Sequence, residues 1–130
     1  MEESIYFQAK DLMLGDWIKI GKVPLRVIQL THFTHKDDSV VLETGSEYLD
    51  VEPIPITPEI LEKNGWKYES TIKAYERKDG AYYISIDIEG KTRIYVCNDY
   101  IFGMALGYVH ELQHALRLVG LSELADNFKV

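Results

Sequence analysis

Pro53-Ile-Pro-Ile-Thr-Pro58 divides this chain, and the segments on either side take their reading from it. Prolines lack a backbone donor and hold the preceding residue extended, so the stretch predicts a stiff connector. It delivers Thr57 as a helix N-cap, Pro58 at the first helical position, Glu59 in the first turn and Gly65 just past the end. Each choice satisfies or accommodates a group orphaned at a helix terminus, which predicts one short helix over residues 58–64. The text on both sides is β-like, and the fold class that follows is α+β.

Upstream, Trp17-Ile18-Lys19-Ile20 predicts a strand that Gly21-Lys22 ends. Val23 to Leu30 reads as a second strand, with Leu25 and Val27 on one face and Pro24 confined to its start. Thr31 to Asp38 is a polar loop. Ser39 to Glu43 and Glu47 to Val51 are two more short strands around Thr44-Gly45-Ser46. Short strands joined by tight turns suggest a small curled sheet or SH3-like β-barrel, preceded by a loosely docked arm over residues 1–9.

Downstream, strands are expected at Trp66 to Glu69, Ile72 to Arg77, Ala81 to Ile88 and Lys91 to Cys97, with turns at Lys78-Asp79-Gly80 and Glu89-Gly90. The last three form an antiparallel meander. Ile84, Ile86 and Ile88 alternate with Ser85 and Asp87, which predicts one buried face and one wet face. A long helix begins at Asp99 and runs to about Val119, where Gly120 stops it; Ser122 then caps a short helix over 123–127. On the long helix Ile101, Ala105, Val109, Leu112, Leu116 and Val119 form a stripe that should pack on the meander. Gly103, Gly107, His110 and His114 fall on the opposite side, where small residues suit a close helix contact or a homodimer seam. The expected division is a β subdomain over 1–52, the connector and short helix over 53–65, and the meander with its helix over 66–130. The connector is too short to separate two bodies, so one compact domain is expected.

Within 130 residues, 21 acidic side chains against 14 basic ones give a net charge of −7. Phosphate backbones repel such a surface unless a basic stripe overrides it. The basic residues are scattered instead, with Lys19, Lys22 and Arg26 in one region and Lys73, Arg77 and Lys78 in another. No apolar run is long enough to span a bilayer, and the N-terminus lacks the layout of a signal peptide. The single cysteine, Cys97, has no internal partner for a disulfide, which points to a reduced, cytoplasmic setting with Cys97 as a small buried hydrophobe. Trp17 and Trp66 each open a strand and read as core anchors. Asp87 and Glu89 flank a turn and read as surface acids.

His110-Glu111-Leu112-Gln113-His114 matches H-E-x-x-H. Residues four apart share a helix face, so both imidazoles can meet one Zn²⁺ beside a glutamate general base. Zinc hydrolases normally take a third protein ligand, and the context supplies a poor one. Arg117 and Gly120 stand where the three-histidine pattern needs Gly and His. Glu123 is the sole glutamate after His114 and follows it too closely. His32 and His35 lie in a distant polar loop. The motif therefore reads as part of a structural helix, with no catalytic, cofactor or metal residue assigned.

Three segments carry a resemblance. Asp11-Leu-Met-Leu-Gly-Asp-Trp17, Glu52-Pro-Ile-Pro-Ile-Thr-Pro-Glu-Ile-Leu-Glu-Lys-Asn-Gly-Trp66 and Tyr108-Val-His-Glu-Leu-Gln-His114 together resemble small proteins encoded by prophages and mobile elements of gut Bacteroidetes. The resemblance spans residues 11 to about 120. That group has no established activity, so the resemblance implies a prophage setting, in which short proteins often bind a host or phage protein, and transfers no site residue. The functional expectation is a non-enzymatic interaction or regulatory protein, acting on a protein partner or by self-association. The alternative is a zinc-dependent hydrolase with His110 and His114 as ligands, Glu111 as base and Glu123 as third ligand. Nucleic-acid binding by the N-terminal barrel ranks third.

Overall fold

The computed structural model describes residues 7–8, 16–20, 23–31, 39–42, 47–48 and 50–130. They form two compact units. The first combines residues 1–55 with 108–127, and the second combines 56–107 with 128–130. The connector is thus not the only boundary, because the chain leaves the first unit after Pro55 and returns to it at Tyr108.

In the first unit, β1 (Phe7–Gln8), β2 (Trp17–Ile20), β3 (Val23–Thr31), β4 (Ser39–Leu42), β5 (Glu47–Tyr48) and β6 (Asp50–Pro53) form one sheet in the order β1-β6-β2-β3-β4-β5. The expected strand over 47–51 is two strands, and Phe7–Gln8 pairs with β6 although residues 1–9 read as a loose arm. Residue 49 alone separates β5 from β6, yet β2, β3 and β4 lie between them in the sheet. Flat, the two would lie about 19 Å apart at roughly 4.8 Å per strand. Two residue steps reach at most about 7 Å, so the sheet has to curl. Among the described residues no ladder joins β5 to β6, and the ring is not closed. Of the loop expected over Thr31 to Asp38, Thr31 is the last residue of β3, while residues 32–38, like the turn at 44–46, lie outside the described residues.

The connector behaves as its prolines dictate. Thr57 is extended, and α1 (Pro58–Lys63) starts with its hydroxyl accepting from the Ile60 amide at 3.2 Å. Gly65 holds φ +90°, and the Arg77 guanidinium occupies the space a Cβ would need there. In the second unit, β7 (Lys67–Glu69), β8 (Ala74–Asp79), β9 (Tyr82–Asp87), β10 (Lys91–Val96) and β11 (Asp99–Ala105) form an antiparallel sheet in the order β11-β10-β9-β8-β7. Trp66, Leu61, Ile84, Ile86, Ile94, Leu106 and Phe128 are buried, with the Trp66 and Phe128 rings 6.3 Å apart. Asn64 fixes the chain's last residues: its side-chain oxygen accepts from the Lys129 amide at 2.8 Å, and its nitrogen donates to the Lys129 and Ile60 carbonyls. The alternation expected over Ile84 to Ile88 breaks at two positions, since Ile88 is 74% exposed and Ser85 is buried. Asp87 explains the first: its Oδ1 accepts from the Glu89 and Lys91 amides, ending the strand before Ile88.

The largest correction concerns Asp99 to Val119. This is a strand and then a helix, β11 followed by α2 (Val109–Leu118), with α3 (Ser122–Asp126) behind it. Cys97 and Asn98 hold φ values of +51° and +73°. Two consecutive positive φ angles are the signature of a tight hairpin turn, which sends Tyr100, Ile101 and Phe102 back along β10. Cys97 is accordingly exposed at the hairpin tip, not a buried hydrophobe. The stripe Gly103/Gly107/His110/His114 does not exist, because the glycines precede the helix. Nor does α2 belong with the meander: it groups with the N-terminal sheet and packs against β2.

On the face of the second sheet that carries Ser85, Tyr83 donates its hydroxyl to Glu76 Oε2 at 2.6 Å, and burial together with that carboxylate pushes its phenol up to about 12. A phenol whose folded-state value is raised stabilises the fold fully below its unfolded value, and the gain disappears as pH climbs through the folded one. Alkaline unfolding of the wild type should therefore steepen between about pH 10 and pH 12, and Tyr83→Phe should flatten that limb. Identical stability profiles for the two proteins across this window would show that the Tyr83–Glu76 contact does not form.

Candidate functional site

The H-E-x-x-H residues sit on the first two turns of α2, and each is engaged inside the first unit. Glu111 Oε1 accepts from the Tyr108 amide at 3.1 Å, closing the start of the helix as a capping residue three positions in. His110 is 8% exposed, stacked on Tyr108 with centroids 6.1 Å apart, and meets His114 edge-on at 5.6 Å. His114 contacts Asp16, Nε2 to Oδ2 at 2.6 Å. The other oxygen of Asp16 accepts from Arg117 Nη1 at 2.6 Å.

Asp16 has no solvent exposure, so its charge is stable there only because both oxygens are met by donors. A carboxylate held by a guanidinium only accepts, which assigns the hydrogen of His114 to Nε2. A nitrogen that carries a hydrogen has no lone pair for a metal. His114 can thus coordinate through Nε2 only by releasing Asp16. Among the described residues, no three His, Cys, Asp or Glu side chains form a group that could hold a metal ion. Glu123 lies exposed in the first turn of α3, and His32 and His35 lie outside the described residues.

Gln113 completes the arrangement. Fully buried, it accepts from the Trp17 amide at 2.8 Å and donates to the Ala125 carbonyl at 3.0 Å. Arg117 also reaches Asp126 at 3.4 Å, and Arg26 donates to the Asp126 carbonyl while its guanidinium lies 5.4 Å over the Trp17 ring. The polar residues of α2 therefore clamp the start of β2 on one side and α3 on the other. Sequence reasoning passed over Asp16 and Gln113, and no local signal marks them: the partners of Asp16 and the Trp17 partner of Gln113 lie about a hundred positions away. Two members of the N-terminal basic set are likewise drawn into internal contacts: Arg26 as above, and Lys19 with Glu52 at 3.7 Å.

Two surface features of the second unit stand apart from this clamp. A groove of about 560 Å³ is floored by Leu61, Ile86 and Leu106 and rimmed by Tyr68 and Tyr75, whose rings lie 5.2 Å apart. Asp87 borders it, but its Oδ1 is engaged by the two turn amides and its Oδ2 faces Arg93 at 3.4 Å. The second feature is the outer edge of β11, with which no strand among the described residues pairs. Tyr100, Ile101 and Met104 on this strand are 54%, 45% and 57% exposed. The register with β10 shifts so that Ile101 is an extra residue, a bulge, and the regular edge runs from Phe102 to Ala105.

Removing the Asp16 carboxylate leaves the Arg117 guanidinium with only exposed Asp126, at 3.4 Å, and losses of about 3–5 kcal/mol are usual when a buried pair is broken. Asp16→Ala should destabilise the protein on that scale in denaturant melts, and His114→Ala by less. A change in the alanine variant at position 16 within experimental error would mean that the clamp is not formed. Protein purified without a chelating tag should carry far less than one equivalent of zinc by mass spectrometry, with His110→Ala no different. Near-stoichiometric zinc lost in that variant would restore the hydrolase reading.

No family model matches the chain, and comparison with curated proteins and with solved structures finds no match either.

Proposed function

We propose that this chain is a non-enzymatic interaction protein that binds by strand addition at β11. The observation that carries the reading is the outer edge of that strand, with which no strand among the described residues pairs. It offers a row of backbone donors and acceptors beside exposed apolar side chains, the two ingredients an added strand uses for affinity and specificity. Edge strands are commonly guarded by lysine, proline or inward charge; β11 has an acid only at its first residue, Asp99, and a bulge at Ile101. The engagement of Glu111 and His114 in internal contacts supports a scaffolding role for the motif over a hydrolytic one.

The same proposal takes the curled N-terminal sheet as SH3-like, since its last strand, β6, returns beside β2. It places the protein in the cytoplasm of a prophage-bearing bacterium, on the strength of the resemblance quoted above and the single cysteine. It sets nucleic acid aside because the chain carries −7 and Lys19 and Arg26 are turned to internal partners.

The test is capture from a bacterial lysate by the immobilised full chain, run beside Met104→Lys and Ile88→Lys. A lysine in the middle of β11 should abolish partner capture, whereas one at exposed Ile88, outside the edge, should not. If Met104→Lys retains every protein the wild type retains, binding does not use this edge and the reading fails.

A further inference from the structure

We infer that the segment that adds to β11 is β11 of a second copy of this chain, paired antiparallel about a two-fold axis at Gly103. The inference rests on the strand-addition reading and names its partner. An antiparallel strand edge is complementary to itself, because rotation about an axis through its centre brings each donor opposite an acceptor. In the regular stretch Phe102 to Ala105, faces are preserved only if the axis passes through a residue, since opposed residues must point to the same side. With the axis at Gly103, Phe102 faces Met104 of the second copy, and Met104 faces the second copy's Phe102.

That register matches the side chains. Phe102 lies opposite Ile94 and Met104 opposite Thr92 across the β10 ladder, so both extend the face on which Ile84, Ile86 and Ile94 are buried. This apolar face runs to the sheet edge and stops there with Met104 57% exposed. A thioether set against an aromatic ring from the second copy is a favourable contact that continues it. At the axis itself Gly103 carries no side chain, and the phenol of Tyr100 lies where its Cβ would stand. The two copies thus meet there backbone to backbone, each with a tyrosine over the gap. No charged residue occurs between Tyr100 and Ala105, so the pairing opposes no like charges along the seam. The net charge of −7 on each copy resists association, and salt should weaken that resistance.

A seam of this length is small, so the association should be weak and reversible. Sedimentation of the full chain from about 10 µM to about 1 mM should show the mean mass rising towards that of a dimer, more readily at high salt. Met104→Lys should stay monomeric throughout, and Ile88→Lys should behave as wild type, with melting curves confirming that both are folded. Amide exchange in the wild type supplies the second readout: amides of β11 should slow as concentration rises, while those of β7 should not. A wild type monomeric at every concentration would overturn the self-pairing while leaving strand addition by another protein to the capture experiment. A dimer that survives Met104→Lys, or one whose β11 amides show no added protection, would overturn it as well.

Discussion

The carboxylate of Asp16 is withdrawn from water and shared between His114 and Arg117. An isolated charge in that position would cost several kilocalories per mole, so the two donors of α2 must be in place whenever Asp16 is buried. The neighbouring amide of Trp17 is held by Gln113, and Gln113 in turn holds the end of α3. Three side chains within two turns of one helix thus decide where β2 begins and where α3 lies. Isolated pairs would add little; a fully satisfied network fixes one arrangement, since any shift of the helix leaves several buried groups unmatched at once.

This network also accounts for where the H-E-x-x-H side chains are engaged. H-E-x-x-H spaces two imidazoles for a shared target, but the helix turns that same spacing to internal use. Glu111 closes the first turn, His110 packs against Tyr108, and His114 serves a carboxylate from the other end of the chain. What faces the motif here is an aspartate whose two oxygens are met by His114 and Arg117.

Legibility followed the range of the interactions. Thr57, Pro58 and Gly65 act within a few residues, and α1 forms where they indicate. The meander strands were also readable, since turns at Gly80 and Gly90 punctuate them and both glycines hold positive φ. Asp99 to Val119 misled because apolar residues at helical spacing continue across the boundary; Ile101 and Ala105 happen to fall in phase with Val109 and Leu112. The decisive signal was the Cys97-Asn98 turn, where neither residue is glycine and the left-handed conformation is thus not announced. The clamp was unreadable for a different reason. Asp16, Gln113 and Arg117 are ordinary polar residues in sequence, and only tertiary proximity gives them partners.

The first unit is built from two lengths of chain, with most of the second unit inserted between Pro55 and Tyr108. During synthesis, β2 leaves the ribosome long before α2 exists, and the Asp16 carboxylate waits in water for partners still untranslated. At synthesis rates of about 5–20 residues per second, that interval lasts several seconds. The inserted unit takes its core from residues nearer one another in sequence and has most of its chain available first, apart from Phe128 to Val130. A segment made early is therefore locked late, by a helix close to the end of the chain.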